Sequence, residues 1–213
     1  MEKKYELTDE TIEHCGHTLH RIRALRDIVN NRSYDAPVKV RAGDLGGWVE
    51  SEENLSHFGE AWVDDDAEVY GNARVLCDAQ VYESAEVCGE ACVHDRARVF
   101  GMAFVAGSAW VGDCAQVYDY AEVFMRAVVH GDARVHGDAL VYLDAEIRGN
   151  AEIFDYAYIC GETVVCGTAK VYGRTGIDGS VMVDDGYFSD CVPPRSDISV
   201  RPSRDCDYRE VPC

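Results

Sequence analysis

The side chains in this sequence able to do chemistry are imidazoles, thiols, carboxylates and aromatic rings, and most of them recur at fixed spacings. His94, His130 and His136 are the imidazoles best separated from the chain ends. As general bases or metal ligands they would have to converge on one point. There are ten cysteines, but none forms a CxxC pair. Cys88, Cys160 and Cys166 each follow a Val or Ile, Cys92 precedes one, and Cys77 and Cys114 fall in expected turns. They read as free thiols of a reducing compartment rather than as a metal or disulfide framework. Carboxylates are in large excess: 39 Asp and Glu against 20 Lys and Arg give a net charge of −19. That balance argues against a nucleic-acid-binding surface and against docking on an anionic membrane.

What positions all of these groups is a repeat of six. Val or Ile stands at 63, 69, 75 and every sixth residue through Ile177 and Val183, and Ala stands two residues earlier from Ala61 through Ala157. Ala inward, a variable residue outward, Val inward and another residue outward make a short strand. Two turn residues, often Gly then Asp, Asn or Glu, close each unit. A unit this small buries no core alone and is stable only when stacked on neighbours.

The pattern resembles the hexapeptide-repeat family. The resemblance implies a left-handed parallel β-helix, in which three units close a triangular coil with Val and Ile filling its axis. The 21 aliphatic positions from Val63 to Val183 predict about seven coils, roughly 30 Å of prism at the usual strand spacing. Val49 and Leu55 keep the same step, and two extra residues then shift the frame before Val63. The expected divisions are an N-terminal cap over 1–48, the helix over 49–183, and a C-terminal cap or tail over 184–213. That tail carries Pro193-Pro194, Pro202, Cys206, Pro212 and Cys213.

Residues one coil apart lie above one another, so outward residues sort into three faces. The Val81 face stacks Tyr82, Phe100, Tyr118, His136, Phe154 and Tyr172, flanked by Gln80, Arg98, Gln116, Arg134, Glu152 and Lys170. These rings stack as a ladder, form an oligomer interface or bind a ligand, and an outward apolar column favours the interface. The Val87 face offers Tyr70, Cys88, Phe104, Phe124, Leu140, Tyr142, Tyr158 and Cys160. Two apolar faces are what a closed homotrimer requires. The Val93 face carries Arg74, Leu76, Cys92, His94, Trp110, Val128, His130, Glu146 and Arg148. His94 and His130 are two coils apart there, about 9.6 Å, too far to share one zinc within a chain. Ligands shared across a subunit boundary would resemble the γ-class carbonic anhydrases only loosely. No metal and no cofactor are expected.

At the corners, Asp65, Asp66, Glu83, Asp119, Asp138 and Asp155 line one edge, and Asp78, Asp95, Asp113 and Asp132 line another. A rigid row of carboxylates imitates a phosphate backbone approximately and competes for a partner's Lys/Arg groove.

Near the N-terminus, Tyr5-Glu6-Leu7 and the run Thr18 to Leu25 read as strands joined by a turn at Gly16. His14, Cys15 and His17 read as that turn rather than as a metal site. Lys4 to Thr8, Thr18 to Asp27 and Ala42-Gly43-Asp44-Leu45-Gly46-Gly47-Trp48-Val49-Glu50-Ser51-Glu52 are similar to the opening of a YdcK-like group of phage and prophage hexapeptide-repeat proteins, which implies a viral or prophage origin. Acyltransferases of the wider family carry an extruded loop with a catalytic histidine, and no interruption of that kind falls between 63 and 183. The expectation is therefore a non-enzymatic acidic protein in the host cytoplasm that occupies and inhibits a host protein with a basic surface, plausibly a defence component. The alternative is an acyltransferase-like enzyme using His94, His130 and His136, or a trimer sequestering a small nucleotide in its clefts. No secretory leader or membrane span is legible.

Overall fold

The structure, a computed structural model, describes residues 3–30 and 38–189. The tail beyond Ser189, with its prolines and cysteines, lies outside the described residues. Among the described residues every regular element is a strand. From Leu45 onward they stack in parallel as a β-solenoid of about eight turns, with three flat faces formed by sheets of ten, seven and eight strands.

The register follows the repeat. Glu86–Val87 lies between Glu68–Val69 and Phe104–Val105, Cys92–Val93 between Arg74–Val75 and Trp110–Val111, and Arg98–Val99 between Gln80–Val81 and Gln116–Val117. The aliphatic residues from Val63 to Val171 and the alanines beside them are essentially inaccessible and form one continuous core. The solenoid has about one turn more than the repeat count predicts. Val49 pairs in parallel with Val69 and Leu55 bridges Val75, so the segment before the frame shift already wraps as a coil. The two extra residues are absorbed before Trp62 without breaking the stack.

Each corner requires one residue with positive φ. One corner column runs Gly71, Gly89, Gly107, Met125, Leu143 and Gly161, all with φ between 61° and 71°, so Met125 and Leu143 hold side chains in a conformation that favours glycine. A side chain in this region is strained by about 1–2 kcal/mol. Leu143→Gly is therefore expected to stabilise the fold by about 0.5–1 kcal/mol after the unfolded chain's extra freedom is counted. A denaturant midpoint that falls on this substitution would contradict that account.

The N-terminal end is closed by a hairpin. β1 (Tyr5–His14) and β2 (His17–Ala24) pair antiparallel around Cys15 and Gly16, both at positive φ. β1 runs seven residues further than the sequence reading drew it, and β2 matches its reading to within one residue at each end. β3 (Ile28–Asn30) and β4 (Val38–Val40) form a small ribbon that the reading did not contain, and Ile28 and Val40 join the main core. β2 then pairs antiparallel with β5 (Leu45–Val49), whose other edge meets the first parallel strand.

Side chains finish carbonyls near the N-terminal end that the coil-to-coil ladder leaves open. Lys4 Nζ donates to Ala61 O at 2.7 Å, Asn54 Nδ2 donates to Gly71 O and Ala73 O, and the Tyr5 hydroxyl donates to Leu55 O at 2.9 Å. Burial, and then the nearby Arg26 charge, lower the Lys4 ammonium to about 8 despite Glu60 and Asp78.

Candidate functional site

The three histidines do not converge. His94 and His130 lie two coils apart on the Val93 face, and His136 lies on the Val81 face. Each is held by local carboxylates: His94 Nδ1 is 2.7 Å from Asp95 Oδ2, His130 Nε2 is 3.1 Å from Glu146 Oε1, and His136 Nε2 is 3.2 Å from Glu152 Oε1. Gly112 lies between His94 and His130 in the column, the His94 ring leans over it, and Trp110 sits beside both, with ring centroids 4.0 Å and 6.1 Å from the two imidazoles. No group of three or more His, Cys, Asp or Glu among the described residues is arranged to hold a metal ion.

The ring column of the Val81 face is a continuous stack. Tyr82, Phe100, Tyr118, His136, Phe154 and Tyr172 follow one another at 4.7–5.1 Å between centroids and within 5° of parallel. The coil spacing of about 4.8 Å imposes this distance, and offset stacking makes it favourable. The π-faces are thus occupied within the chain, and ring edges point outward. Beside the ladder, Lys170 Nζ donates to Glu152.

The Val87 face differs from its sequence-based picture. Tyr70, Cys88, Phe104 and Phe124 point away from the axis yet are no more than 3% exposed. They form a second apolar cluster with Leu19 and Trp48, and Ile12 packs against it, so the hairpin covers part of this face. Phe124 stacks on Tyr142 at 5.1 Å. Phe104 and Phe124 are therefore covered, while Tyr142 remains partly accessible.

The corner carboxylates have a local task that the sequence reading did not give them. At each corner the positive-φ residue has an N–H that the coil-to-coil ladder does not use. Where an acid stands one coil earlier, it accepts that N–H: Asp65 from Glu83 N, Glu83 from Gly101 N at 2.9 Å, Asp113 from Gly131 N at 3.0 Å, Asp119 from Gly137 N and Asp155 from Gly173 N. Asp95 meets Asp113 N more loosely at 3.4 Å, and Asp78 caps Glu60 N at 2.9 Å. Asp65, Glu83, Asp113, Asp119 and Asp155 nonetheless remain exposed. Asp66 and Asp132 are exposed as well, and Asp138 is partly buried. The result is one row of negative charge, Asp65, Glu83, Asp119 and Asp155, and part of a second around Asp113, whose side chains are fixed by backbone hydrogen bonds.

Six cysteines, Cys77, Cys88, Cys92, Cys114, Cys160 and Cys166, carry free thiols, whereas Cys15 is disulfide-bonded. Burial pushes the Cys88 thiol up to about 12 and the Cys160 thiol up to about 11. Neither is a ready nucleophile at neutral pH, since only the thiolate attacks.

One polar cluster escaped the sequence reading altogether. His14, from the hairpin tip, reaches Glu68 and Glu86, while His17 reaches Glu50. Glu68 and Glu86 share a column of the repeat, but nothing in the repeat shows where the hairpin leans.

No helix of the described residues is long and apolar enough to cross a membrane. Comparison with known proteins found no protein-family model that matches this chain and no curated protein that matches it.

Proposed function

We propose that this chain is a non-enzymatic acidic binding protein, encoded by a phage or prophage, that occupies and inhibits a host protein through a basic site normally used for nucleic acid. The observation that carries this reading is the corner row Asp65, Glu83, Asp119 and Asp155, exposed carboxylates one or two coils apart that are fixed by backbone N–H groups, with Asp113 held the same way at a second corner. A charged surface ordered before contact loses little side-chain freedom on binding. The net charge of −19 steers a basic partner toward it. The likeness of the opening segments to the YdcK-like group supports a viral or prophage origin, with the host cytoplasm as the site of action, and the hexapeptide pattern supports a left-handed helix. Copies associate as trimers through the outward edges of the ring ladder and the partly accessible Tyr142.

The test neutralises one row without disturbing its caps. Asn and Gln keep an acceptor oxygen, and Asn tolerates positive φ. The combined variant Asp65→Asn, Glu83→Gln, Asp119→Asn and Asp155→Asn is expected to keep its denaturation midpoint while binding to the captured host protein weakens about tenfold at low salt and becomes less salt-dependent. Unchanged binding by the folded variant would sink the proposal. A thioester or nucleotide released from the purified protein, with no protein partner captured at any salt, would favour the enzyme or sequestration readings through His94, His130 and His136.

A further inference from the structure

At the hairpin tip, beside the disulfide-bonded Cys15, an imidazole stands between two carboxylates of the solenoid, an arrangement that a neutral ring and two ionised carboxyls cannot satisfy in full. His14 Nδ1 lies 3.0 Å from Glu68 Oε2, and its Nε2 lies 3.4 Å from Glu86 Oε1. A neutral imidazole has one N–H and one lone pair. With both nitrogens facing carboxylates, either the ring carries two protons or one of the carboxyls carries one.

Arg21 is the neighbouring cation, with its Nη1 3.5 Å from Asp66 Oδ1. Glu86 also accepts the Tyr70 hydroxyl, and the Tyr70 ring lies 5.5 Å from His14. Cys88 sits beneath, and Asp66 adds a further negative charge beside Glu68. Burial first, then Glu86 and Asp66, raise the Glu68 carboxyl in spite of His14, so the coils themselves favour keeping a proton here. His17 is different: only its Nδ1 is engaged, 2.9 Å from Glu50 Oε1, and Glu50 is satisfied further by Gly71 N. A neutral His17 serves that contact.

We propose that the β1–β2 arm is a proton-operated cover: one proton held at His14 between Glu68 and Glu86 keeps the arm on the outer face, and its loss at higher pH loosens the arm and bares the apolar cluster beneath. The cluster in question is the part of Tyr70, Cys88 and Phe104 against which Ile12 and Leu19 pack. Without the proton, a lone pair faces a carboxylate at close range and the contact becomes repulsive.

Hydrogen exchange of the full chain, corrected for the intrinsic pH dependence of exchange, tests the proposal. Protection over residues 10–20 is expected to fall about tenfold between pH 6 and pH 8.5, the change that one displaced proton produces over about one pH unit. Protection over residues 98–117 is expected to hold. Glu86→Gln is the decisive variant, because a glutamine N–H can donate to the bare Nε2 of a neutral His14 while Nδ1–H still meets Glu68. Its arm is expected to stay protected with a flat pH profile. A flat profile in the wild-type chain, a Glu86→Gln arm that keeps the wild-type fall, or a Glu86→Gln arm unprotected at every pH each overturns the proposal. Nitrogen chemical shifts of the His14 ring in the wild-type chain give a readout independent of any variant. Nitrogen shifts showing a neutral ring, together with carboxyl carbon shifts showing Glu68 and Glu86 both ionised at pH 6, would overturn it as well.

Discussion

Gly46→Ala is expected to destabilise the protein by about 2–3 kcal/mol, the range for forcing a methyl into a close-packed site. A Cβ at this position would stand 2.6 Å from Trp62 Cζ2, 2.6 Å from the Val63 carbonyl oxygen and 2.8 Å from Ile22 Cγ1. The backbone carbonyl belongs to the first strand of the Val81 face and cannot move without breaking the register below it. Trp62 is fully buried and cannot swing aside. Gly47 is similarly confined, with Ala67 O at 2.6 Å and Val63 Cγ1 at 2.8 Å. The damage should be local at first, because each coil contacts only its neighbours. Hydrogen exchange should rise over residues 45–63 before it rises in the middle of the stack. Gly112→Ala is the control: its Cβ would meet the His94 ring at 2.5 Å, but a side chain on an outer face can shift. Equal losses from the two substitutions in chemical denaturation would refute the argument that the solenoid is closed by backbone-to-backbone contact at Gly46.

The second large effect is a collapse of stability at alkaline pH. Burial, with Glu52 in addition, holds the Tyr5 hydroxyl above its ordinary range. Burial does the same for Tyr70, helped by Cys88 and Glu86, and for Tyr142, helped by Cys160. The unfolded chain surrenders these protons near pH 10 and the folded chain retains them. Stability from these groups is thus complete below that pH and lost as pH rises past it. Cys88 and Cys160 act in the same direction from about pH 9, where unfolded thiols ionise. Lys4 acts oppositely: its folded value of about 8 lies below the unfolded 10.5, so raising the pH between the two removes the cost of burying an ammonium. The expected profile is a small rise from pH 8 to 9 and then a steep fall. Above pH 10 the groups that keep their protons outnumber Lys4, whose own contribution ends at 10.5, and each retained proton costs about 1.4 kcal/mol per pH unit, so the fall steepens. Denaturant midpoints from pH 7 to pH 11 measure this directly. Lys4→Met should remove the early rise, and Tyr70→Phe should make the later fall shallower. A midpoint that stays level from pH 9 to pH 11 would contradict the assignment of these hydroxyls to water-excluded positions.

Most of the fold was legible because the repeat leaves the chain few choices. Period two within each unit sets which side chains turn inward, and Ala beside Val sets the cross-section. The stacked parallel coils follow from those two constraints. The same periodicity located the ring column. It could not decide what the rings do, because outward position alone does not distinguish stacking from contact with another copy. The observed centroid spacings resolve the stacking. The corner acids were legible as rows but not as caps, since the unused N–H appears only once the positive φ at each corner is known. The arm was least legible. Its strands could be read from alternation, whereas the lean of His14 onto Glu68 and Glu86 depends on register irregularities between Leu7 and Thr11 and between Arg21 and Arg23. The extra coil was missed for a related reason: Val49 and Leu55 carry the pattern, but the shift before Val63 hides their continuity with it.

The coil-upon-coil registry also constrains how a chain like this can change length. Every outward side chain owes its face to its distance from the others modulo one full coil. Losing or gaining a whole coil preserves each surviving ladder's address, joining ring to ring and cap to cap across the splice. Losing a single six-residue unit keeps the axis filled, because every unit supplies the same inward pair, yet turns all later residues onto the next face of the prism. The core is thus blind to a shift that scrambles the whole surface. Drift in length by single units would be filtered by what the outside must do, while drift by whole coils would act as a ruler adjustment that leaves the pattern of charge and rings intact.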